Sequence, residues 1–235
     1  MKILAIDSSS LVATVAVIEN DNMLAEYTVN YKKTHSQTLL PMLNEINKMI
    51  ELDLKSIDAV AITSGPGSFT GLRIGSATAK GLGLALDCPL IAVPTVDGLA
   101  YNLYGTDKVI CPMMDARRNQ VYTGIYEFKK ERLQIIEEQM AISIHEIIEK
   151  LNKRGREVIF LGDGVPVYKE VIVEKMKVPY HFAPAHMNRQ RAGAVGALAT
   201  QYFTAGKTVN ADEFAPDYLR LSQAERELAE KEKQC

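Results

Sequence analysis

The sequence predicts an α/β fold in two related subdomains, and three observations predict it. A run of three strands comes before any helix. The order strand-strand-strand-helix-strand then occurs a second time. The composition, with 47% hydrophobic and 24% charged residues, is that of an ordinary globular chain. Residues 1–105 form the first expected subdomain and 106–215 the second, with 216–235 as a C-terminal tail. The helix near 191–205 is expected to pack back on the first subdomain. At 235 residues and 26.0 kDa the chain is long enough for either one large domain or two small ones. No residue-level repeat accompanies the repeated order.

Lys2–Asp7 is an almost unbroken β-favouring run, Ser8-Ser9-Ser10 turns it, and Ala13–Ile18 is apolar again. Asn20-Asp21-Asn22 turns the chain once more, and Met23–Tyr31 completes an antiparallel meander. The period then changes. In HSQTLLPMLNEINKMI, Leu39, Leu43, Ile46 and Ile50 fall on one helical stripe, which Leu40, Met42 and Met49 widen to about half the circumference. A stripe that broad exceeds what packing on one side requires. Pro41 fits the first turn if Thr38 caps the helix, and predicts a kink if the helix begins at Ser36.

Asp58–Thr63 reads as a buried strand, SGPGSFTG as a glycine-rich loop, Leu72–Leu86 as a helix, Pro89–Val93 as a strand and Thr95–Tyr104 as a helix capped by Thr95. The second half begins again with strands at Lys108–Met114 and Val121–Phe128, then a weak strand near Leu133–Met140. A helix at Ser143–Asn152, a strand at Glu157–Leu161 and the Gly162-Asp163-Gly164 turn follow. Val165–Met176 and Arg191–Phe203 read as helices, with a short strand at Pro179–Phe182 between them. ERELAEKEKQ at the end reads as a frayed, solvated helix.

Charge and cysteine usage exclude several function classes. Lys+Arg 27 against Asp+Glu 29 gives a net charge of -2, without the basic footprint of a protein that grips nucleic acid alone. Cys88, Cys111 and Cys235 are odd in number and lack C-x-x-C spacing, so neither a disulfide framework nor a thiolate zinc site is indicated. Neither a signal h-region nor a spanning stretch is visible, and the chain is expected in the cytoplasm, away from membranes.

Three segments could carry chemistry. Asp7 at the end of the first strand, followed by Ser8, Ser9 and Ser10, could set a carboxylate and turn amides beside a metal-bound phosphate. It could equally cap its own turn, and no glycine there allows close approach. The segment from Gly65 to Gly75 is neither a P-loop nor a nucleophile elbow. Gly71, Gly75 and Ala79, four apart, make a smooth helix face. That face either lets the helix pack closely on its own sheet or joins the broad stripe of Leu39–Ile50 as a docking surface. His35, His145, His181 and His186 show no metal-ligand spacing. Arg117 and Arg118 in a strand-to-strand loop, and Gly162-Asp163-Gly164, each have a solvated-loop or turn explanation beside a ligand-facing one. No nucleophile–base pair is legible.

Laid out this way, the chain resembles the bacterial TsaB family, also called YeaZ-like, of tRNA threonylcarbamoyladenosine biosynthesis proteins. ILAIDSSS, HSQTLLP, SGPGSFTGLRIG, DARR-x-QVY at Asp115–Tyr122, Gly162-Asp163-Gly164 and PDYLR at Pro216–Arg220 carry the likeness, and GPGSFTGLRIG is its specific part. The resemblance implies two actin-like/ribonuclease H-like (ASKHA) subdomains with mixed sheets flanked by helices. It implies a non-catalytic partner of TsaD, the subunit that modifies adenosine 37 of tRNAs reading codons that begin with A. It further implies TsaE as another partner, tRNA met only through the complex, and homodimers of the chain alone through similar surfaces. No cofactor of its own is implied, ATP being left to the level of the complex. The implied interface is His35, Ser36, Leu39, Leu40, Leu43, Ile46, Asn47 and Ile50 on one helix and Phe69, Thr70, Leu72, Arg73, Ser76 and Lys80 on the next. Asp7, Ser8, Ser9, Gly162, Asp163 and Gly164 would be a vestigial nucleotide site. The H-x-x-x-H metal pair of the catalytic subunit is absent from this sequence, and serines stand where the wider superfamily usually has glycine. The competing readings are an ATP-dependent kinase or peptidase-like enzyme using Asp7 or Asp163, and a direct tRNA binder, which the near-neutral charge disfavours.

Overall fold

The computed structural model describes residues 1–220. The expected helix at ERELAEKEKQ, and Cys235, lie outside the described residues. The first sheet is a meander of β1 (Lys2–Asp7), β2 (Val12–Glu19) and β3 (Asn22–Asn30), extended on the other side of β1 by the parallel strands β4 (Ala59–Gly65) and β5 (Leu90–Pro94). Its order is β3-β2-β1-β4-β5. The second sheet repeats the plan. Antiparallel β6 (Val109–Asp115), β7 (Gln120–Lys129) and β8 (Arg132–Ser143) are joined by parallel β9 (Val158–Leu161) and β10 (Tyr180–Phe182), in the order β10-β9-β6-β7-β8.

Helices cover both faces of each sheet, as the near-continuous apolar runs of β1 and β4 require. On one face of the first sheet lie α1 (His35–Met49) and α2 (Phe69–Leu86); Leu39, Met42, Ile46 and Ala79 pack onto Leu4, Ile6, Val15, Val60 and Ile62. The other face takes α6 (Ala192–Thr204), whose Val195, Leu198 and Ala199 meet Ile3, Ala5, Ala16 and Ile91. In the second half, α4 (Ile144–Arg154) and α5 (Gly164–Lys175) bury Ile147, Ile148, Leu151 and Ile172 against Val109, Val121 and Phe160. The two halves meet through α3 (Thr95–Tyr101), where Val96, Leu99 and Ala100 join Ile110, Met114, Tyr126 and Leu161 in one cluster.

Several boundaries differ from expectation for local reasons. The second helix begins at Phe69, not Leu72, because the Ser68 hydroxyl accepts from the Gly71 N–H at 3.3 Å and so caps an earlier turn. The first begins at His35, so Pro41 lies well inside an unbroken helix. Thr38 does not cap it, since its hydroxyl donates to the Thr34 carbonyl at 3.3 Å. Thr95 caps nothing either: Pro94 precedes α3, which ends at Tyr101, and the Thr95 hydroxyl has no partner among the described residues. The expected weak strand is the twelve-residue β8, paired along β7. Its end is fixed by a capping box in which Ser143 accepts from the backbone and Glu146 reaches back.

Candidate docking face and interlobe cleft

The outward side of α1 and α2 is narrower in apolar area than the sequence suggests. Leu39 is 1% and Ile46 5% exposed, and Met42, Leu72 and Ser76 are also buried in the subunit's own core. Leu39, Ile46, Leu72 and Ser76 are therefore corrected from docking residues to core residues. Leu39 and Ile46 complete the α1 contact with the sheet, at about 1.5–3 kcal/mol for a buried aliphatic side chain. Leu43 and Ile50 are half-buried against the same cluster. Lys80 is tied down as well, its Nζ donating to the carbonyls of Asp212 at 2.9 Å and Phe214 at 3.0 Å.

What faces outward is Ser36 and Leu40 on α1, with Leu40 58% exposed, and Thr70, Arg73, Ala77, Gly81 and Leu84 on α2, with Leu84 65% exposed. The α2 residues recur at three and four and so form one stripe. It is smooth in the middle: a Cβ added to Gly81 would meet nothing within 4 Å. His35 and Asn47 are half-buried at its flank, and the His35 Nε2 lies 2.8 Å from the Ser10 carbonyl. At the N-terminal end the Arg73 guanidinium sits 4.0 Å above the Phe69 ring, and Tyr218 stacks on that ring at 4.6 Å.

The other small-residue face, Gly71, Gly75 and Ala79, points inward. A Cβ at Gly71 would stand 2.1 Å from the Ser8 carbonyl, and one at Gly75 2.3 Å from the Ser8 hydroxyl. Of the two readings of this face, close packing on the chain's own sheet is the one realised. Gly65, at φ +123°, lies against the Asp217 carbonyl where a side chain has no room.

The glycine loop thus rests on the Asp7–Ser10 turn, beside a cleft of about 720 Å³ between the two halves. Asp7 is fully buried just behind Ser9 and Ser10, which line the cleft. A single oxygen, Oδ1, accepts from the Ser9 N–H at 2.8 Å, the Ser9 hydroxyl at 2.6 Å and the Thr63 hydroxyl at 3.1 Å. Burial pushes its carboxyl up from the ordinary range against these donors. The Ser8 hydroxyl donates to the Gly71 carbonyl at 2.9 Å. Across the cleft, Asp163 accepts from the Asp115 N–H at 3.3 Å and is likewise raised by burial. Gly162 is held at φ +109° against the Met113 carbonyl, and Gly164 opens α5. Arg117 reaches Asp115 at 3.7 Å. Among the described residues no three His, Cys, Asp or Glu side chains group as metal ligands, and no helix is long and apolar enough to cross a membrane.

Sequence reasoning missed two features of this region. The PDYLR segment, read as the start of a tail, crosses the cleft: the Asp217 N–H donates to the Ser64 carbonyl at 2.7 Å, Gln139 donates to the Asp217 carboxylate at 2.9 Å, and Arg220 donates to the Ala116 carbonyl at 2.6 Å. Behind the cleft, the buried Asp97 carboxylate on α3 takes hydroxyl hydrogen bonds from Tyr126 and Tyr202. Neither carries a local sequence signal, since Tyr218 meets Phe69 and Asp97 meets its tyrosines only in the folded chain.

Residues 22–228 match the family model described as TsaD: tRNA N6-adenosine threonylcarbamoyltransferase. The tRNA threonylcarbamoyladenosine biosynthesis protein TsaB of Bacillus subtilis (strain 168) is 32% identical over 99% of this chain and 100% of its own length. That of Escherichia coli (strain K12) is 31% identical, also over 99% and 100%. Among solved structures, a Pseudomonas aeruginosa protein with similarity to peptidase YeaZ superposes with a TM-score of 0.81 at 26% identity, covering 93% of this chain and 99% of that one. An Arthrobacter inorganic polyphosphate/ATP-glucomannokinase superposes at 0.52 with 13% identity, over 87% and 99%, and shares the two-lobed actin-like fold.

Proposed function

This chain belongs to the TsaB family of tRNA threonylcarbamoyladenosine biosynthesis proteins, and from that membership we propose that it serves the pathway as a scaffold without catalytic groups of its own. It pairs with TsaD through the outward faces of α1 and α2, TsaE joins the pair, and tRNA is met only through the complex, in the cytoplasm and without a cofactor held by this chain.

One observation carries the reading. The two neighbouring helices bury Leu39, Met42, Ile46, Leu72 and Ala79 and still turn Leu40, Leu84 and a glycine-alanine ridge to solvent. Such a ridge lets another helix pair approach closely, because nothing larger than a methyl stands along its middle. The buried Asp7 supports the same reading. An oxygen with three protein donors at 2.6–3.1 Å is committed to tying its turn to β4, and turning it to a metal–nucleotide would cost those bonds.

The test is reconstitution with purified TsaD, TsaE, tRNA and threonylcarbamoyl-adenylate, with and without the chain. Loss of modification on omission is the expected outcome, and full modification without it would remove the role. ATP turnover by the isolated chain that is abolished by Asp7→Ala would instead establish an enzyme.

A further inference from the structure

Folded proteins close or blunt the edges of their sheets, because an open edge accepts another strand. At β5, Leu90 and Val209 exchange both backbone hydrogen bonds at 2.9 Å. β10 is only three residues long, and the edge of β8 carries Arg132, Glu137 and Glu138. β3 has none of these devices. Its nine residues, NMLAEYTVN, carry one charge, and that residue, Glu26, is turned to α6, accepting from the Gly193 N–H at 2.9 Å and from the Arg191 guanidinium. Among the described residues the β3 backbone makes no hydrogen bond outside its ladder with β2. An antiparallel ladder uses only every second residue of an edge strand, so alternate N–H and C=O groups of Ala25–Asn30 point outward.

The side chains along this edge line a groove. Tyr27 pairs with Val15 and Val29 with Ala13, both packed on the α1 side of the sheet, so Tyr27 and Val29 stand on that side too. With Tyr31, just past the strand, they form one wall of a groove of about 560 Å³, and Thr38, Pro41 and Met42 of α1 form the other. The two walls match in length: Tyr27 to Tyr31 spans about 13 Å of strand, and Gln37 to Glu45 about 12 Å of helix. Lys33 closes one end of the groove and Glu45 the other, and neither side chain has an ion-pair or hydrogen-bond partner among the described residues.

We propose that this edge docks an extended segment of another protein, which adds to β3 as a sixth, antiparallel strand. Two of its apolar side chains lie in the groove, between an acidic residue that meets Lys33 and a basic residue that meets Glu45. A strand turns alternate side chains to one face, so acid, two apolar residues and base stand at every second position and span about 20 Å. That is the reach from Lys33, just before α1, to Glu45, about 15 Å into it. The charges also set direction: β3 runs toward the Lys33 end, so an antiparallel strand enters there and presents its acid first. A second copy of β3 does not meet this specification, since NMLAEYTVN holds no base and its one acid is already bonded. The site is separate from the outward α1–α2 face and does not rest on the function proposed above.

The experiment is fluorescence anisotropy of the full chain with a labelled nonapeptide, TETVTVTKT, capped at both ends. Saturable binding is expected, and TKTVTVTET should bind about tenfold more weakly, attraction having become repulsion at both ends. Lys33 is exposed and Glu45 partly so. In the double variant Lys33→Glu/Glu45→Lys the preference between the two peptides should invert, which a merely structural effect of the substitutions would not produce. N-methylation of the two valines blocks the amides on one edge of the peptide, and N-methylation of the threonines that follow them blocks the other. One pair should abolish binding and the other leave it within about twofold. Leu40→Glu, on the outward helix face, should bind the peptide as wild type does, and saturating peptide should leave the sedimentation mass of the chain itself unchanged. No saturable binding, equal affinity for the two peptides, no inversion in the double variant, the same response to both methylations, or loss of binding in Leu40→Glu would each overturn the assignment. A mass that falls on saturation would overturn it in favour of a second copy at this edge.

Discussion

The Tyr126 hydroxyl on β7 donates to the Asp97 carboxylate on α3 at 2.7 Å, and this buried bond joins the two halves of the molecule. The other carboxylate oxygen accepts from Tyr202 of α6 at 3.1 Å. One acid thus ties together helices and strands from 29 and 105 residues away in the chain. Two neutral donors only partly replace water, so burial pushes the Asp97 carboxyl up from 3.8 to about 6, the hydroxyl bonds and Lys207 pulling the other way.

That shift fixes the sign of a pH effect. A carboxyl with a higher pKa folded than unfolded adds stability below 3.8, and that stability is lost as pH rises through about 6, a swing of about 3 kcal/mol. Burial raises Asp7 and Asp163 in the same direction. Glu127 and Glu137, lowered by their Arg and Lys partners, act oppositely and only below their ordinary range. Calorimetry is therefore expected to show a higher Tm at pH 5 than at pH 8. Asp97→Asn should flatten much of that slope, and an unchanged slope would show that Asp97 does not titrate in this window.

A charge separates core from surface on α1. Ile46→Glu places a carboxylate where the side chain is 5% exposed and should cost several kcal/mol or unfold the chain. Leu40→Glu, six residues earlier and 58% exposed, should stay within about 0.5 kcal/mol of wild type in urea while losing TsaD in a pull-down. A folded Leu40→Glu chain that still captures TsaD would take this face out of the proposed contact.

The glycines of α2 divide in the same way. Gly71→Ala would drive its methyl to 2.1 Å from the Ser8 backbone oxygen, so either the turn or the helix must move, at about 1–3 kcal/mol or more. Gly81→Ala meets open space within the same helix and should stabilise by up to about 1 kcal/mol. Urea midpoints of the two variants on either side of wild type are the expected result; a shift in the same direction would mean that α2 does not sit on the Ser8 turn as described.

Much of the architecture was legible because it is local. The polar turns at Ser8–Ser10 and Asn20–Asn22 punctuate short, nearly continuous apolar runs, and the 3.6 period of Leu39, Leu43, Ile46 and Ile50 marks α1 without ambiguity. The direction in which a face points is not local. The stripe on α1 and the glycine face on α2 look alike whether covered by the chain's own sheet or by a partner, and only the Ser8 carbonyl beneath Gly71 decides. The width of β8 was underestimated because Glu137 and Glu138 interrupt its apolar pattern, and Lys150 and Arg154, which neutralise Glu137, come from the following helix. Asp97 illustrates the extreme case, an acid in a short helix whose partners are fixed only by tertiary structure.

The segment after α6 makes a last prediction. Phe214 is buried beneath α2, Asp217 meets Ser64 at the end of β4, Tyr218 covers Phe69, and Arg220 reaches the Ala116 carbonyl of the other half. Residues 214–220 therefore strap the glycine loop down and fasten it across the cleft. Tyr218→Ala removes one ring of a stack worth about 0.5–1.5 kcal/mol, leaving the Phe69 ring with Arg73 on one side only. Amide exchange should accelerate at Gly67–Gly71 while β7 and the core of β4 keep their protection, since local opening needs only the strap to release. Arg220→Ala should speed exchange in the Ala116–Asn119 loop by the same logic, because it frees the far anchor. Unchanged exchange at both loops in the double variant would show that the strap rests on the cleft without holding it.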